Sequence, residues 1–203
     1  MLNLIVATGN LHKMEEMHSF LDGLPILLKS MKDFAKFPDI EETGQTFEEN
    51  VKIKARICFD FFKQPVLADD SGLEVLALDN EPGVYSARYA GPGANDQDNN
   101  RFLLHKMKGL QGEKRKARFV CTLCYKDRQI EKIFTGTTEG MILEEYKGRQ
   151  GFGYDPLFYI PEIGKTYAQL STEQKNAFSH RGKALRKLVH FLEQKRYLAL
   201  PES

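Results

Sequence analysis

Leu67-Ala68-Asp69-Asp70-Ser71-Gly72-Leu73-Glu74 decides how this chain folds. Val66 to Ala68 reads as the end of a short buried strand, and Leu73 to Leu78 resumes an apolar run. Aspartate is a poor strand residue, and an unpaired buried carboxylate is costly. Two adjacent aspartates at a strand end therefore have two readings. Asp, Ser and Gly form turns by their own side-chain and backbone chemistry. Adjacent acids at the carboxyl end of a buried strand also suit a hard cation such as Mg²⁺, which takes oxygen ligands.

Upstream, Leu2 to Thr8 is an apolar strand, and Thr8-Gly9-Asn10-Leu11-His12-Lys13 turns it into a helix over Lys13 to Leu21. Strand, Gly-Asn turn and helix start form an anion-binding arrangement, because free backbone N–H groups and the dipole face outward. It is not a Walker loop, since the second glycine and the Lys-Ser/Thr pair are missing. Pro25 to Ser30 reads as a second strand. Thr46 and Glu49 make a capping box that opens a helix ending near Phe62. Phe47, Val51, Ala55, Cys58 and Phe62 share one face of it, with Lys54 in the middle. A lysine there either snorkels to water or meets an anion, and the next strand delivers Asp69 and Asp70.

Downstream, Pro82-Gly83 and Gly91-Pro92-Gly93 bracket a short amphipathic segment, and Asn95 to Lys108 reads as a helix. The charged loop Gly112-Glu113-Lys114-Arg115-Lys116 reads as a solvated lead-in to a hairpin, since no aromatic residue interleaves its charges as in a nucleic-acid groove. Ala117 to Tyr125 and Gln129 to Thr138 form the antiparallel pair. Gly151-Phe152-Gly153-Tyr154-Asp155 suggests a backbone close to a ligand, with Phe152 placed to stack on a flat ring. Ser171-Thr172-Glu173-Gln174 is another capping box, opening a turn that carries Lys175. Ser179-His180-Arg181 starts the last helix, and cations there oppose the dipole unless an anion or acceptor is near.

A chain of 203 residues with 41% hydrophobic content supports a single domain over residues 1–203. The net charge of +1 argues against nucleic-acid or membrane binding by electrostatics. The amino-terminal stretch lacks a basic leader, so a cytoplasmic location is expected. Cys121 and Cys124 lie three apart in a strand and point to opposite faces, which disfavours zinc; with Cys58 they read as buried thiols in a reducing compartment. Strand-helix alternation followed by an antiparallel pair argues an α/β fold with a mixed sheet.

Taken in order, these motifs resemble the inosine/xanthosine triphosphate pyrophosphatases, the noncanonical purine NTP (dITP/XTP) pyrophosphatase family. The resemblance rests on Ala7-Thr8-Gly9-Asn10 with Lys13, Glu41-Glu42-Thr43-Gly44, Phe47-Glu48-Glu49-Asn50 with Lys54-Ala55, and Ala68-Asp69-Asp70-Ser71-Gly72-Leu73. It continues through Pro82-Gly83-Val84-Tyr85-Ser86-Ala87-Arg88-Tyr89, Gly151-Phe152-Gly153-Tyr154-Asp155-Pro156, Lys165-Thr166, and Lys175 with Ser179-His180-Arg181. Gln169 stands where the family usually has Glu, and Val51 where it usually has Ala.

The resemblance implies an elongated mixed β-sheet with flanking helices and two lobes around a central nucleotide-binding cleft, in a Mg²⁺-dependent homodimer. Water would attack the α-phosphorus to give a nucleoside monophosphate and pyrophosphate. By the same resemblance Asp70 is the general base and a metal ligand, with Glu41 and Asp69 as further metal ligands. Asn10, Lys13, Lys54 and Lys175 would hold phosphate oxygens. Phe152 would stack on the base while Asp155, His180 and Arg181 read its edge. Thr8, Gly9, Ser71, Gly153 and Tyr154 complete the implied substrate contacts. A nucleotide sensor and an RNA-binding protein are the competing readings; the acid cluster beside lysines favours the enzyme.

Overall fold

The computed structural model describes residues 1–198. Its centre is a strand longer than the sequence suggests. β3 runs unbroken from Val66 to Val75, so Asp69, Asp70, Ser71 and Gly72 lie in mid-strand rather than in a turn. The reason is non-local: every residue of β3 pairs with the antiparallel strand β5 (Lys116–Lys126), from Val66↔Lys126 to Val75↔Ala117. A full ladder on one edge overrides the turn preferences of Asp, Ser and Gly.

The other edge of β3 is occupied only in part. The parallel strand β1 (Leu2–Ala7) pairs with it from Val66 to Ala68 and then leaves. The two-residue β4 (Glu81–Pro82) returns only at Glu74 and Val75. Between them the edge at Asp69 to Leu73 is open. This is a crevice at the carboxyl ends of parallel strands, where ligands bind in open α/β sheets.

β2 (Ile26–Ser30) pairs parallel with β1 at one side, while β6 (Glu131–Ile142), β7 (Phe158–Ile160) and β8 (Lys165–Thr166) extend the sheet antiparallel from β5. The result is an eight-stranded mixed sheet with flanking helices. α1 (Leu11–Leu21) and α5 (His180–Gln194) pack on one face through Met14, Met17, Leu185 and Leu188. α2 (Phe47–Phe62) covers the other through Val51, Ala55 and Cys58. α3 (Asp96–Lys106) and the chain from Tyr154 to Leu170 gather around Leu73, Phe119 and Ile142.

Two apolar clusters thus grip opposite ends of the β3–β5–β6 ribbon, one at Leu67, Leu123 and Phe134, the other at Leu73, Phe119 and Ile142. The aspartates sit between them, so the polar cleft lies between two lobes.

Local signals place the helix starts. Asn10 caps α1 two residues ahead of the expected start, accepting from Lys13 N. Thr46 and Glu49 form the capping box of α2, and Ser171 with Gln174 that of α4 (Thr172–Phe178). Cys121 and Cys124 fall in different clusters on opposite faces, and all three thiols are buried and free. Another expectation fails. The Gly112–Arg115 loop is not wholly solvated: Arg115 is buried, and its guanidinium donates to the carbonyls of Ile142, Leu143 and Leu110.

Candidate active site

Strand alternation sends Asp69 and Asp70 to opposite faces of the sheet, and the two carboxylates live in different surroundings. Asp69 points toward α1 and α5 and is buried. It accepts from Arg181 Nε at 2.9 Å and from Ser71 Oγ at 3.1 Å, and it is ion-paired with Lys13. Burial alone would raise its pKa, but Arg181 and Lys13 hold it well below the usual carboxylate range.

Asp70 points toward α2. Its Oδ1 meets Lys54 Nζ at 3.3 Å, while its Oδ2 is buried with no hydrogen-bond partner. Burial pushes the Asp70 carboxyl above its ordinary value, against the opposing pull of Lys54 and Lys13. A carboxyl with a raised pKa and an unsatisfied oxygen has the attributes of a general base or a metal ligand.

Lys54 therefore does not snorkel. It lies on the apolar stripe of α2 and bridges Asp70 to Glu42 Oε2, at 3.2 Å from the latter. Within the Glu41-Glu42 pair, of which the resemblance favours Glu41 without deciding between the two, it is Glu42 that reaches this lysine. Glu42 lines the cleft, whereas Glu41 is exposed and outside it. Glu42 reaches Lys54, and Glu41 makes no ion pair among the described residues.

On the Asp69 face, charges of alternating sign run through the interior. Lys13 pairs with Asp69, Asp69 with Arg181, Arg181 with Glu16, Glu16 with Lys175, and Lys175 with Asp155. The Lys175 ammonium lies 2.6 Å from Glu16 and 2.5 Å from Asp155. Buried charges survive only when paired and hydrogen-bonded, and here each has an opposite neighbour. Burial raises the Asp155 pKa against Lys175 and lowers that of His180, with the Arg181 and Lys175 charges adding to the latter effect. His180 is consequently neutral. Its ring stacks on Phe119 at 4.7 Å and 10°, and its Nδ1 is buried and unpartnered. Gly136 lets α5 come so close to β6, since a Cβ there would lie 2.2 Å from the His180 carbonyl oxygen.

A cavity of about 360 Å³ joins the two faces around the open edge of β3. Of the residues singled out in the sequence, Thr8, Asn10, Lys13, Lys54, Asp70, Ser71, Phe152, Gly153, Tyr154, Asp155, Lys175, His180 and Arg181 line it. Gly9, Glu41 and Asp69 do not: the Gly9 carbonyl accepts from Lys32 Nζ at 3.0 Å, and Asp69 lies beneath the surface under its cations. Phe152 stacks on His12 at 5.2 Å and 13°, with Lys175 Nζ 4.8 Å from its ring centre. Tyr154 is chiefly a strut, buried with its hydroxyl donating to the Ser86 carbonyl at 2.8 Å.

Sequence reading missed Glu16, because a glutamate three residues past Lys13 on an amphipathic helix looks like surface. It also missed Asp96 and Asn99 as cleft residues.

Among the described residues no cluster of three His, Cys, Asp or Glu side chains could hold a metal ion. Asp70 and Glu42 are two carboxylates meeting at one ammonium, with a spare buried oxygen on Asp70. That donor set fits Mg²⁺, which is held by one or two carboxylates with water and substrate phosphates supplying the rest.

Fold and site together define an α/β protein with an open mixed sheet, whose cleft joins an acid pair to several cations, the equipment of an enzyme for phosphorylated substrates. The sequence profile of the Ham1 family matches residues 4–191. A dITP/XTP pyrophosphatase of Geobacter sulfurreducens is 49% identical over 186 residues, covering 91% of this chain and 94% of its own. One from Thermus thermophilus is 50% identical over 191 residues, covering 93% and 90%. Among solved structures, a HAM1 protein of Coxiella burnetii superposes with a TM-score of 0.87 at 41% identity, covering 96% of this chain and 100% of its own. The Ham1 protein of Staphylococcus aureus gives 0.85 at 40% identity, covering 95% and 99%. This chain belongs to the Ham1 family.

Proposed function

We propose that this chain is a Mg²⁺-dependent nucleoside-triphosphate pyrophosphatase that removes dITP, ITP and XTP from the nucleotide pool, working as a homodimer in the cytoplasm. The observation that carries the reading is Asp70: a buried carboxyl with a raised pKa and a free oxygen, facing a cavity lined with cations. The names of the relatives point to the same substrates. No helix among the described residues is long and apolar enough to cross a membrane.

Asp70, with Glu42, would hold the metal, which when bound supplies phosphate charge neutralisation and an acidified water. Asp70 Oδ2 takes the proton of the attacking water, whose oxygen bonds to the α-phosphorus as the bond to the β-phosphate oxygen breaks. Lys54 keeps Asp70 ionised for that task. Asn10 and Lys13, at the start of α1, hold phosphate oxygens where the helix dipole favours negative charge. Phe152 offers a ring face to the base. Asp155, Lys175 and Arg181, held in place by one another and by Asp69 and Glu16, and His180, whose Nδ1 is buried and unpartnered, present polar groups to its edge, and a base of the wrong pattern leaves such groups facing unmatched atoms.

The test is a panel of dITP, ITP, XTP, ATP and GTP with Mg²⁺ and identification of the products. Two polar mismatches with adenine at about 1–3 kcal/mol each correspond to a preference over ATP of roughly several hundred-fold in kcat/KM. Release of pyrophosphate from dITP or XTP with that preference is the expected result. Orthophosphate release, or equal rates on all five, would overturn the proposal.

The glutamate pair gives a second expectation. Glu42→Gln raises the Mg²⁺ concentration for half-maximal rate by about tenfold, on the scale of a weakened metal site. Glu41→Gln leaves it unchanged. A metal titration of both variants distinguishes them, and the reverse result would return the metal to Glu41.

A further inference from the structure

We propose that Arg88 binds the departing pyrophosphate, an inference that rests on the triphosphate-cleaving reading above. Five lysines and arginines line the cavity: Lys13, Lys54, Arg88, Lys175 and Arg181. Four of them are already neutralised by carboxylates, Lys13 by Asp69, Lys54 by Asp70 and Glu42, Lys175 by Asp155 and Glu16, and Arg181 by Asp69 and Glu16. Arg88 alone pairs with no carboxylate of the described residues. It is exposed to the cleft, and its guanidinium lies 5.2 Å from the centre of the Tyr85 ring. A polyphosphate entering this cleft meets one cation whose charge is not already spent.

The segment that carries Arg88 is fixed. Gly83–Arg88 is a 3-10 helix pinned by Ser86, whose Oγ accepts from Leu73 N at 2.9 Å and donates to the Gly83 carbonyl at 2.6 Å. Asn99 Nδ2 donates to the Ala87 carbonyl at 3.2 Å, and Ala90 N donates to Asn99 Oδ1 at 2.9 Å. A guanidinium left unpaired on a rigid segment is organised for a ligand it does not make within the chain.

The packing of its segment on β3 favours the phosphates. A Cβ on Gly72 would lie 2.4 Å from Ser86 Oγ and 2.5 Å from the Gly83 carbonyl oxygen, so this segment packs directly on Gly72. Gly72 is two residues from Asp70 and faces the same side of β3. Asp155, Lys175 and Arg181 are tied to Asp69 and Glu16 on the opposite side. The segment that carries Arg88 therefore packs on the Asp70 side of β3, and that side is where the proposal puts the guanidinium to work. When water adds to the α-phosphorus and gives its proton to Asp70, the electron pair of the broken bond leaves on the β-phosphate oxygen. Arg88 meets that growing charge as a planar donor suited to phosphate.

The experiment compares wild type, Arg88→Ala and Arg88→Lys by kcat/KM on ITP, by product inhibition, and by calorimetric binding of pyrophosphate with Mg²⁺. Arg88→Ala should lower kcat/KM by about 10²-fold, the scale of one lost charge-stabilising donor, and Arg88→Lys should recover part of it. Inhibition by pyrophosphate should weaken at least about tenfold while inhibition by inosine monophosphate stays unchanged. The melting temperature should not move, because Arg88 supports no ion pair. Unchanged pyrophosphate affinity in Arg88→Ala would overturn the assignment, as would a loss confined to the monophosphate. If wild type fails to cleave ITP to pyrophosphate, the proposed function fails on its own, and the calorimetric comparison still decides whether Arg88 holds pyrophosphate.

Discussion

Asp70→Asn is expected to cut kcat by about 10²–10⁴ while leaving the melting temperature unchanged or raised. The activity side follows from chemistry: an amide cannot accept the water's proton and is a poor ligand for a hard cation. The stability side follows from linkage. Burial lifts the Asp70 carboxyl above its ordinary value, so ionising it at neutral pH costs folded-state stability, and that cost is present above its folded pKa. Asparagine removes the cost, and Lys54 keeps Glu42 as partner at 3.2 Å. Ionisation of Asp70 sets the acid limb of the rate profile. Lys54→Met removes a charge that holds the Asp70 carboxyl down, so this limb moves to higher pH. Steady-state rates across pH for the three proteins, with thermal melts, read all of this. Turnover in Asp70→Asn within a few-fold of wild type would place the base elsewhere, and an acid limb unmoved by Lys54→Met would separate Lys54 from it.

What could be read from sequence was what short-range chemistry encodes. The caps at Thr46 and Ser171 were legible because each is a hydrogen bond to a backbone N–H three residues on. The misplaced cations Lys54 and Arg181 were legible because they sit where a helix should be apolar or anionic. The course of β3 through Asp69-Asp70-Ser71-Gly72 was not, since its stability comes from β5, some fifty residues later, and from ion pairs to other elements. Nor was Glu16, whose partner Arg181 is 165 residues away. The Glu41-Glu42 choice turned on which of two adjacent side chains faces Lys54, and no spacing rule reports that. Arg115 looked like part of a solvated charge run, but carbonyls at the end of β6 and just beyond it draw its head inward.

The neighbouring aspartate should answer the opposite question. Asp69→Asn is expected to destabilise the fold by about 3–5 kcal/mol, the cost of removing one partner from a buried ion pair. For a chain of this size that lowers the melting temperature by roughly 10 °C. Asp69 is enclosed between Arg181, Lys13, Ser71 and the Cys121 thiol, whose Sγ lies 3.3 Å from Oδ2. An asparagine would turn a donor toward the Arg181 guanidinium or leave one of these partners unmet. Arg181 keeps Glu16, but Lys13 loses its carboxylate, so activity falls as well. The pH dependence has a definite sign. The folded pKa of Asp69 is depressed, so its contribution is present above about 3.8, the unfolded value, and is lost as pH falls through the folded value. The gap between wild type and Asp69→Asn should therefore stay constant near neutrality and close only in strong acid. Thermal melts from neutral to acid pH measure it. A variant that melts with wild type yet needs more Mg²⁺ would return Asp69 to the metal and leave Asp70 without its distinct role.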